Sequence, residues 1–291
     1  MRAAVRAGGG EPVGMDDRPD GLIWLDPANI EGLRQALATA ASARWVQLPF
    51  AGVEDVASAG ILDPDRLWTC AKGAYAEPVA EHALLLALAG LRYLKRRITS
   101  HSWGSPGGES LFDEPVTILG GGGIATSLLA LLAPLRCEVT VVRRQPGEVP
   151  GAAHTVQTGD LLTALERAKV VFVALALTPS TEKIIGAAEL TAMHPDAWLV
   201  NVARGRHVDT EALVTALRDQ SIGGAALDVT DPEPLPDGHP LWNLENCIIT
   251  PHTADTPEML DRMFARRVQE NVAAFVAGET LSGLVDPAAG Y

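Results

Sequence analysis

Cysteine is scarce in this chain: three among 291 residues, Cys70, Cys137 and Cys247, widely spaced and without a CxxC pair. Such a set suggests neither a disulfide framework nor a zinc site, and it fits a reduced, intracellular setting. Aromatic residues make up 5 % of the chain, and 23 Lys and Arg face 36 Asp and Glu, for a formal net charge of −13. That shortage of positive charge argues against binding nucleic acid or an anionic membrane through a general field, so any anionic ligand must be held by local cations. Long apolar runs are also missing. The longest, residues 83–90, is too short to span a bilayer, and residues 1–10 carry arginines and glycines but no apolar core of a signal peptide. Together these absences point to a soluble, cytoplasmic protein.

What the chain does have is apolar material in short, regular pieces. A composition of 47 % hydrophobic and 20 % charged residues excludes disorder as the main state, and the length suggests two domains. Residues 8–21, rich in Gly, Pro and Asp, read as a flexible loop or frayed terminus. Beyond them, apolar runs at 22–25 and 45–48 alternate with helical patterns at 30–40 and 53–59, the mark of a parallel sheet flanked by helices. Residues 78–93 form one long buried helix, and the polar, glycine-rich segment 100–110 interrupts the pattern, which places a domain boundary near 93–112. Strands follow at 116–119, 139–142, 170–175, 197–200 and 224–229, separated by helices at about 123–134, 160–168, 187–193 and 209–219. The expected second sheet is therefore doubly wound with at least five strands, and a last helix covers 257–277.

The stretch Leu119-Gly120-Gly121-Gly122-Gly123-Ile124-Ala125 follows a strand and opens a helix, with Gly120, Gly122 and Ala125 in the dinucleotide pattern GxGxxG/A. Gly120 allows a tight turn and Gly122 a close approach to a pyrophosphate. The helix start at Gly123 and Ile124 offers free N–H groups and a partial positive charge. The next strand ends in Arg143 and Arg144 where an acid would bond ribose hydroxyls. Two guanidinium groups attract a 2′-phosphate, which favours NADP(H) while leaving NAD(H) possible; the bland reading is a solvated surface pair.

A second signal lies at Asn201-Val202-Ala203-Arg204-Gly205, where a strand delivers an arginine on a tight turn. Its planar fork suits a carboxylate. Glu233, between two prolines, and His252, after Pro251, follow in order. Histidine titrates near neutrality and can give or take a proton at a carbonyl oxygen, while a carboxylate on its other nitrogen fixes the tautomer and favours the imidazolium. Singly, each of the three is more often a surface or turn residue; together, beside a nucleotide turn, they suggest a site that reduces a 2-oxo acid.

Taken together, these segments resemble the D-isomer-specific 2-hydroxyacid dehydrogenase family over most of the chain. The match runs through Val79-Ala80-Glu81-His82-Ala83, the glycine turn, Leu177-Thr178-Pro179-Ser180-Thr181, the arginine turn and Asp228-Val229. It continues through Glu233-Pro234-Leu235-Pro236 and Pro240-Leu241-Trp242, and closes on Thr250-Pro251-His252. The resemblance implies an α/β protein of two doubly wound parallel-sheet domains, a Rossmann nucleotide-binding domain (93–255) inserted into a flavodoxin-like substrate domain (1–92 and 256–291), with the active site in the cleft. It implies that Arg204 holds the substrate's carboxylate and carbonyl, that His252 is the acid and base with Glu233 as partner, and that Asp228 contacts the nicotinamide side. Ala174, Thr178 and Val202 lie along the cofactor in the same reading.

In the amino-terminal part, Pro49-Phe50-Ala51-Gly52-Val53 resembles the family loop whose N–H groups hold the substrate carboxylate, which singles out Ala51 and Gly52. Lys72 either reaches a second acidic group on the substrate or is simply solvated. The chain departs from the family at Ala174 and Ala176, where His and Pro are common, and at Thr253-Ala254-Asp255, where glycines are common. Glu233 argues against formate dehydrogenase relatives, which have glutamine there. The lack of arginine in 49–53 disfavours a phosphorylated acid, leaving small acids such as glyoxylate or hydroxypyruvate. The family suggests a homodimer formed largely through the nucleotide domain, with Ser100-His101-Ser102-Trp103 a candidate contact. The competing reading is a non-catalytic dinucleotide-sensing protein, like the corepressors that share this fold.

Overall fold

Strands whose side chains are buried on both faces read as unbroken apolar runs, and those runs became the middle of a seven-stranded parallel sheet. The computed structural model describes residues 1–287. It divides into two units, Ala76–Asp255 and a discontinuous one of Met1–Tyr75 with the described residues of Thr256–Tyr291.

In the discontinuous unit, β1 (Gly21–Ile23), β2 (Trp45–Gln47) and β3 (Leu67–Thr69) form a parallel sheet in that order. The helices are α1 (Arg2–Ala7), α2 (Ile30–Thr39) and α3 (Glu54–Ser58). Asn29 caps α2 by accepting from the Gly32 N–H at 2.8 Å, and Leu33 and Ala36 turn inward to Leu48, Val56 and Trp68. The residues before Gly21 are built in: α1 packs on the carboxy-terminal helix, where a Cβ at Gly8 would lie 2.8 Å from Cβ of Val272, and Ser42 Oγ donates to the Pro19 carbonyl. Residues 9–18 are mostly exposed and irregular, as the loop expected over 8–21 should be; the close approach of Gly8 to a distant helix leaves no local apolar pattern and is not visible in composition.

The contiguous unit starts with α4 (Ala76–Leu91) and α5 (Leu94–Ile98). Its strands are β4 (Pro115–Leu119), β5 (Glu138–Arg143), β6 (His154–Gln157), β7 (Val170–Val173), β8 (Trp198–Asn201), β9 (Gly224–Leu227) and β10 (Cys247–Ile249). Between them lie α6 (Gly123–Leu132), α7 (Leu161–Leu165), α8 (Ala187–Ala192) and α9 (Thr210–Arg218), and the last helix, α10 (Pro257–Ala277), belongs to the discontinuous unit. The strand order β10-β9-β8-β7-β4-β5-β6 makes the direction of winding reverse beside β4, so the glycine turn after β4 sits at the switch point. The long helix α4, kept with residues 1–92 in the sequence reading, packs here: Gly90 lies so close to the Trp198 ring that a Cβ would overlap it.

Candidate active site

Because all seven strands run the same way, one edge of the sheet collects every strand end. The register sets Val142, Leu119, Val173, Asn201, Leu227 and Ile249 in one row across the sheet. Gly120, Arg143, Ala174 and Asp228 are each one residue past that row, and Arg204 and His252 are each three past it.

At β4, the two glycines singled out differ in what requires them. Gly120 has φ +115°, and a Cβ there would overlap the Ala174 carbonyl, so the backbone itself needs glycine. Gly122 is the N-cap of α6 with nothing within 4 Å of a Cβ, which leaves room for a ligand to approach the backbone. The first-turn N–H groups of α6, including those of Gly123 and Ile124, have no partner within the helix, and the ten-residue helix adds its positive end. The donor set and the open face at Gly122 fit a dinucleotide pyrophosphate. The stem of Arg143 runs beside this turn, where Cδ would be 3.4 Å from a Cβ on Gly121, and Arg144 is exposed, its carbonyl accepting from Gln157 Nε2 at 3.2 Å. A hollow of about 190 Å³ bounded by residues 145–148 and 155–157 adjoins the arginine pair.

The arginine turn is shaped by Asn201, which is fully buried. Its Oδ1 accepts from the Ala203 N–H at 3.1 Å and its Nδ2 donates to the Arg204 carbonyl at 2.9 Å. Gly205 must be glycine, because a Cβ would overlap the Thr230 carbonyl. Arg204 is extended (φ −144°, ψ 144°), with one guanidinium nitrogen donating to the Ala203 carbonyl at 2.7 Å. Val202, before it, is buried, and Thr178 sits in a turn where its N–H donates to Thr181 Oγ1 at 2.8 Å.

Glu233 and His252 come together. Nδ1 of His252 is 2.6 Å from Glu233 Oε1, while Oε2 accepts from the Thr230 N–H at 3.3 Å. A carboxylate only accepts, so Nδ1 carries the hydrogen of that bond and Nε2 is left for the exchangeable proton. His252 holds φ +50°, a left-handed conformation uncommon outside glycine, fixed by its own N–H donating to the Asp228 carbonyl at 2.8 Å.

Asp228 is buried, and its carboxylate binds the protein: Thr250 Oγ1 donates to Oδ1 at 2.5 Å, the Thr253 N–H to Oδ1 at 2.9 Å and the Ala254 N–H to Oδ2 at 3.0 Å. Nε2 of His82, on α4, lies 3.1 Å from Thr250 Oγ1 and 3.3 Å from Asp228 Oδ1. Burial pushes the Asp228 carboxyl up, but the donors, His82 first, outweigh it and hold it at about 2. Asp228 thus anchors the turn that carries His252, a task the sequence reading had not assigned, and His82 and Thr250 join it. Asp255 is the next group in this cluster. Burial raises its carboxyl above the usual range, and the charges of His252, Asp228 and Arg204 all act on it, which brings the arginine and histidine turns within electrostatic reach of one carboxylate.

In the discontinuous unit, the loop with Ala51 and Gly52 lies against the loop with Lys72. The Ala71 N–H donates to the Phe50 carbonyl at 2.8 Å, and Tyr75 Oη to the Pro49 carbonyl at 2.6 Å. Ala51 and Lys72 are exposed, Gly52 partly so.

The chain matches the model of the D-isomer specific 2-hydroxyacid dehydrogenase NAD binding domain over residues 82–254. It is 39 % identical over 254 residues to an uncharacterized protein of Corynebacterium melassecola, covering 85 % of this chain and 84 % of that one. It is 32 % identical over 226 residues to a glyoxylate reductase of Thermofilum pendens, covering 74 % of this chain and 66 % of that one. A D-isomer specific 2-hydroxyacid dehydrogenase from Xanthobacter autotrophicus, solved with NADPH and MES, superposes with a TM-score of 0.84 at 27 % identity, covering 99 % of this chain and 94 % of that one. The strand-end site and these matches lead to one statement: the chain belongs to the D-isomer specific 2-hydroxyacid dehydrogenase family.

Proposed function

We propose that the protein reduces a small 2-oxo acid of the glyoxylate or hydroxypyruvate type to its D-2-hydroxy acid, with NADPH favoured over NADH. The observation that carries this reading is the 2.6 Å pair of Glu233 and His252, at the edge of the sheet where the arginine turn and the glycine turn also leave their strands. A bound reduced nicotinamide supplies hydride to the carbonyl carbon. His252 gives the proton from Nε2 to the carbonyl oxygen, so the C=O π bond becomes one new C–H and one new O–H bond. Glu233 holds the ring in the tautomer that can do so. Arg204 binds the carboxylate and orients the carbonyl in two-point fashion. Gly120, Gly122, Gly123, Ile124, Ala174, Thr178 and Val202 belong along the cofactor in this proposal, whereas Asp228, expected on the nicotinamide side, acts by anchoring the His252 turn.

The preference for NADPH rests on Arg143 and Arg144, and it is supported by the NADPH in the Xanthobacter relative. The acid is proposed from the glyoxylate reductase relative and from the lack of arginine in residues 49–53. Substrate roles for Ala51, Gly52 and Lys72 belong to the same proposal, as do a cytoplasmic location and a homodimer using the segment around Trp103, a residue 99 % exposed. The test is oxidation of NADPH and of NADH with a panel of 2-oxo acids, with Arg204→Ala as control. Turnover of glyoxylate or hydroxypyruvate with NADPH, lost in the control, is expected. A strong NADH preference would remove the role of the arginine pair, and tight cofactor binding without turnover of any acid would make the protein a dinucleotide sensor instead.

A further inference from the structure

One buried histidine has no part in the chemistry above. His207 closes the short turn Gly205–His207 that begins at Arg204, and it is 0 % exposed. Its ring reaches two places on another loop: Nδ1 is 2.9 Å from the Thr181 carbonyl oxygen and Nε2 is 3.2 Å from that of Leu175. The backbone follows the same path. The His207 N–H donates to the Arg204 carbonyl at 3.2 Å, the Ile185 N–H donates to the His207 carbonyl at 3.0 Å, and Ile185 bridges to Val208 in parallel. The loop held between the two carbonyls follows β7; it contains Thr178 and starts just after Ala174, whose carbonyl backs Gly120.

We propose that His207 is a positioning residue that ties the loop 175–181 to the Arg204 turn, setting the distance between the parts of the site that take cofactor and substrate. The coupling rests on the functional reading above. Imidazole suits the task because its nitrogens lie on opposite sides of one rigid ring: a neutral ring donates to one of the two carbonyls, six residues apart in sequence, and sets its other nitrogen against the second, while an imidazolium donates to both. A carboxamide reaches one of them: asparagine places its nitrogen near Nδ1, toward Thr181, and glutamine places its nitrogen near Nε2, toward Leu175. An apolar side chain of similar volume has no N–H to donate to either carbonyl, at the usual cost of a lost hydrogen bond.

The test uses the full chain with His207→Leu, His207→Asn and His207→Gln. It reads the NADPH dissociation constant by nicotinamide fluorescence without acid, the KM of glyoxylate, and the unfolding temperature. His207→Leu is expected to weaken NADPH binding and to raise the glyoxylate KM together, each about fivefold, as one lost hydrogen bond predicts. Arg204→Lys should raise only the KM of the acid. His207→Asn, which keeps the shorter contact beside Thr178, should restore NADPH binding to within about twofold of the parent. A His207→Leu protein with parental constants and only a lower unfolding temperature overturns the proposal. His207→Gln, which gives up the contact toward Thr181, should weaken NADPH binding as His207→Leu does, and if His207→Leu does not fold, a parental NADPH dissociation constant in His207→Gln overturns the proposal equally. A parent chain that binds no NADPH sinks the functional reading and the proposal with it; that failure shows in the parent, whereas failure of the proposal alone shows only in the variants.

Discussion

A histidine delivers a proton from a chosen atom only when its other nitrogen is engaged, and Glu233 engages His252 at 2.6 Å. Glu233→Gln keeps the shape and removes the charge, so the imidazolium loses its counter-ion. Reduction should fall by about ten- to a hundredfold in kcat/KM, and a parental kcat/KM would disprove the role. Asp228 makes a different kind of prediction. Its carboxyl titrates at about 2 in the fold against an ordinary 3.8, so its stabilisation is fully present above the ordinary value and is lost as pH falls through the folded one. In urea unfolding, the deficit of Asp228→Asn relative to the parent should be about 2 kcal/mol larger near neutrality than near about pH 2. The pairing of Glu233 with His252 was legible in the sequence because each lies in a compact motif beside proline. The partnership of His82 with Thr250 and Asp228 was not, since it joins residues 168 apart that only the packing of α4 brings together.

Among the elements, the strands with continuous apolar runs, β4, β5, β7, β8 and β9, were all expected from the sequence. The missed ones, β3, β6 and β10, each end a sheet, and β6 has no buried residue to mark it. The glycine turn shows how an element can look alike in sequence and differ in physics. Gly120 is required by its positive φ and by the Ala174 carbonyl, whereas Gly122 faces open space. Gly120→Ala should therefore destabilise the fold by about 2 kcal/mol or more, while Gly122→Ala should leave the unfolding temperature within about 2 °C of the parent and still weaken NADPH binding about tenfold. Thermal unfolding with and without NADPH separates the two. If Gly122→Ala bound the cofactor as the parent does, the turn would be an ordinary strand-to-helix link.

At the scale of the whole chain, the two units differ in how they are assembled from it. Ala76–Asp255 is one uninterrupted stretch with its own core around Leu165, Val171, Leu199 and Ala225. The other unit needs both ends of the chain. Asn271 on α10 donates to Gln47 Oε1 on β2 at 2.7 Å, and Arg267 donates to the carbonyls of Cys70 and Lys72 at 3.1 and 3.0 Å. The Cys70 N–H donates to the Gly283 carbonyl at 2.8 Å, and Val285 joins the core with Leu48 and Trp68. Residues 1–75 alone would expose that core and leave the buried Gln47 without the Asn271 amide, in a length where the core is marginal even when complete. A fragment of residues 76–255 should unfold in one cooperative transition and bind NADPH within about tenfold of the full chain, since the glycine turn and the arginine pair are intact in it. A fragment of residues 1–75 should show no cooperative transition, and adding residues 256–291 through a flexible linker should restore one. Calorimetry of the three fragments checks this, and a cooperative transition from residues 1–75 alone would show that α10 is an addition to that unit rather than part of its core.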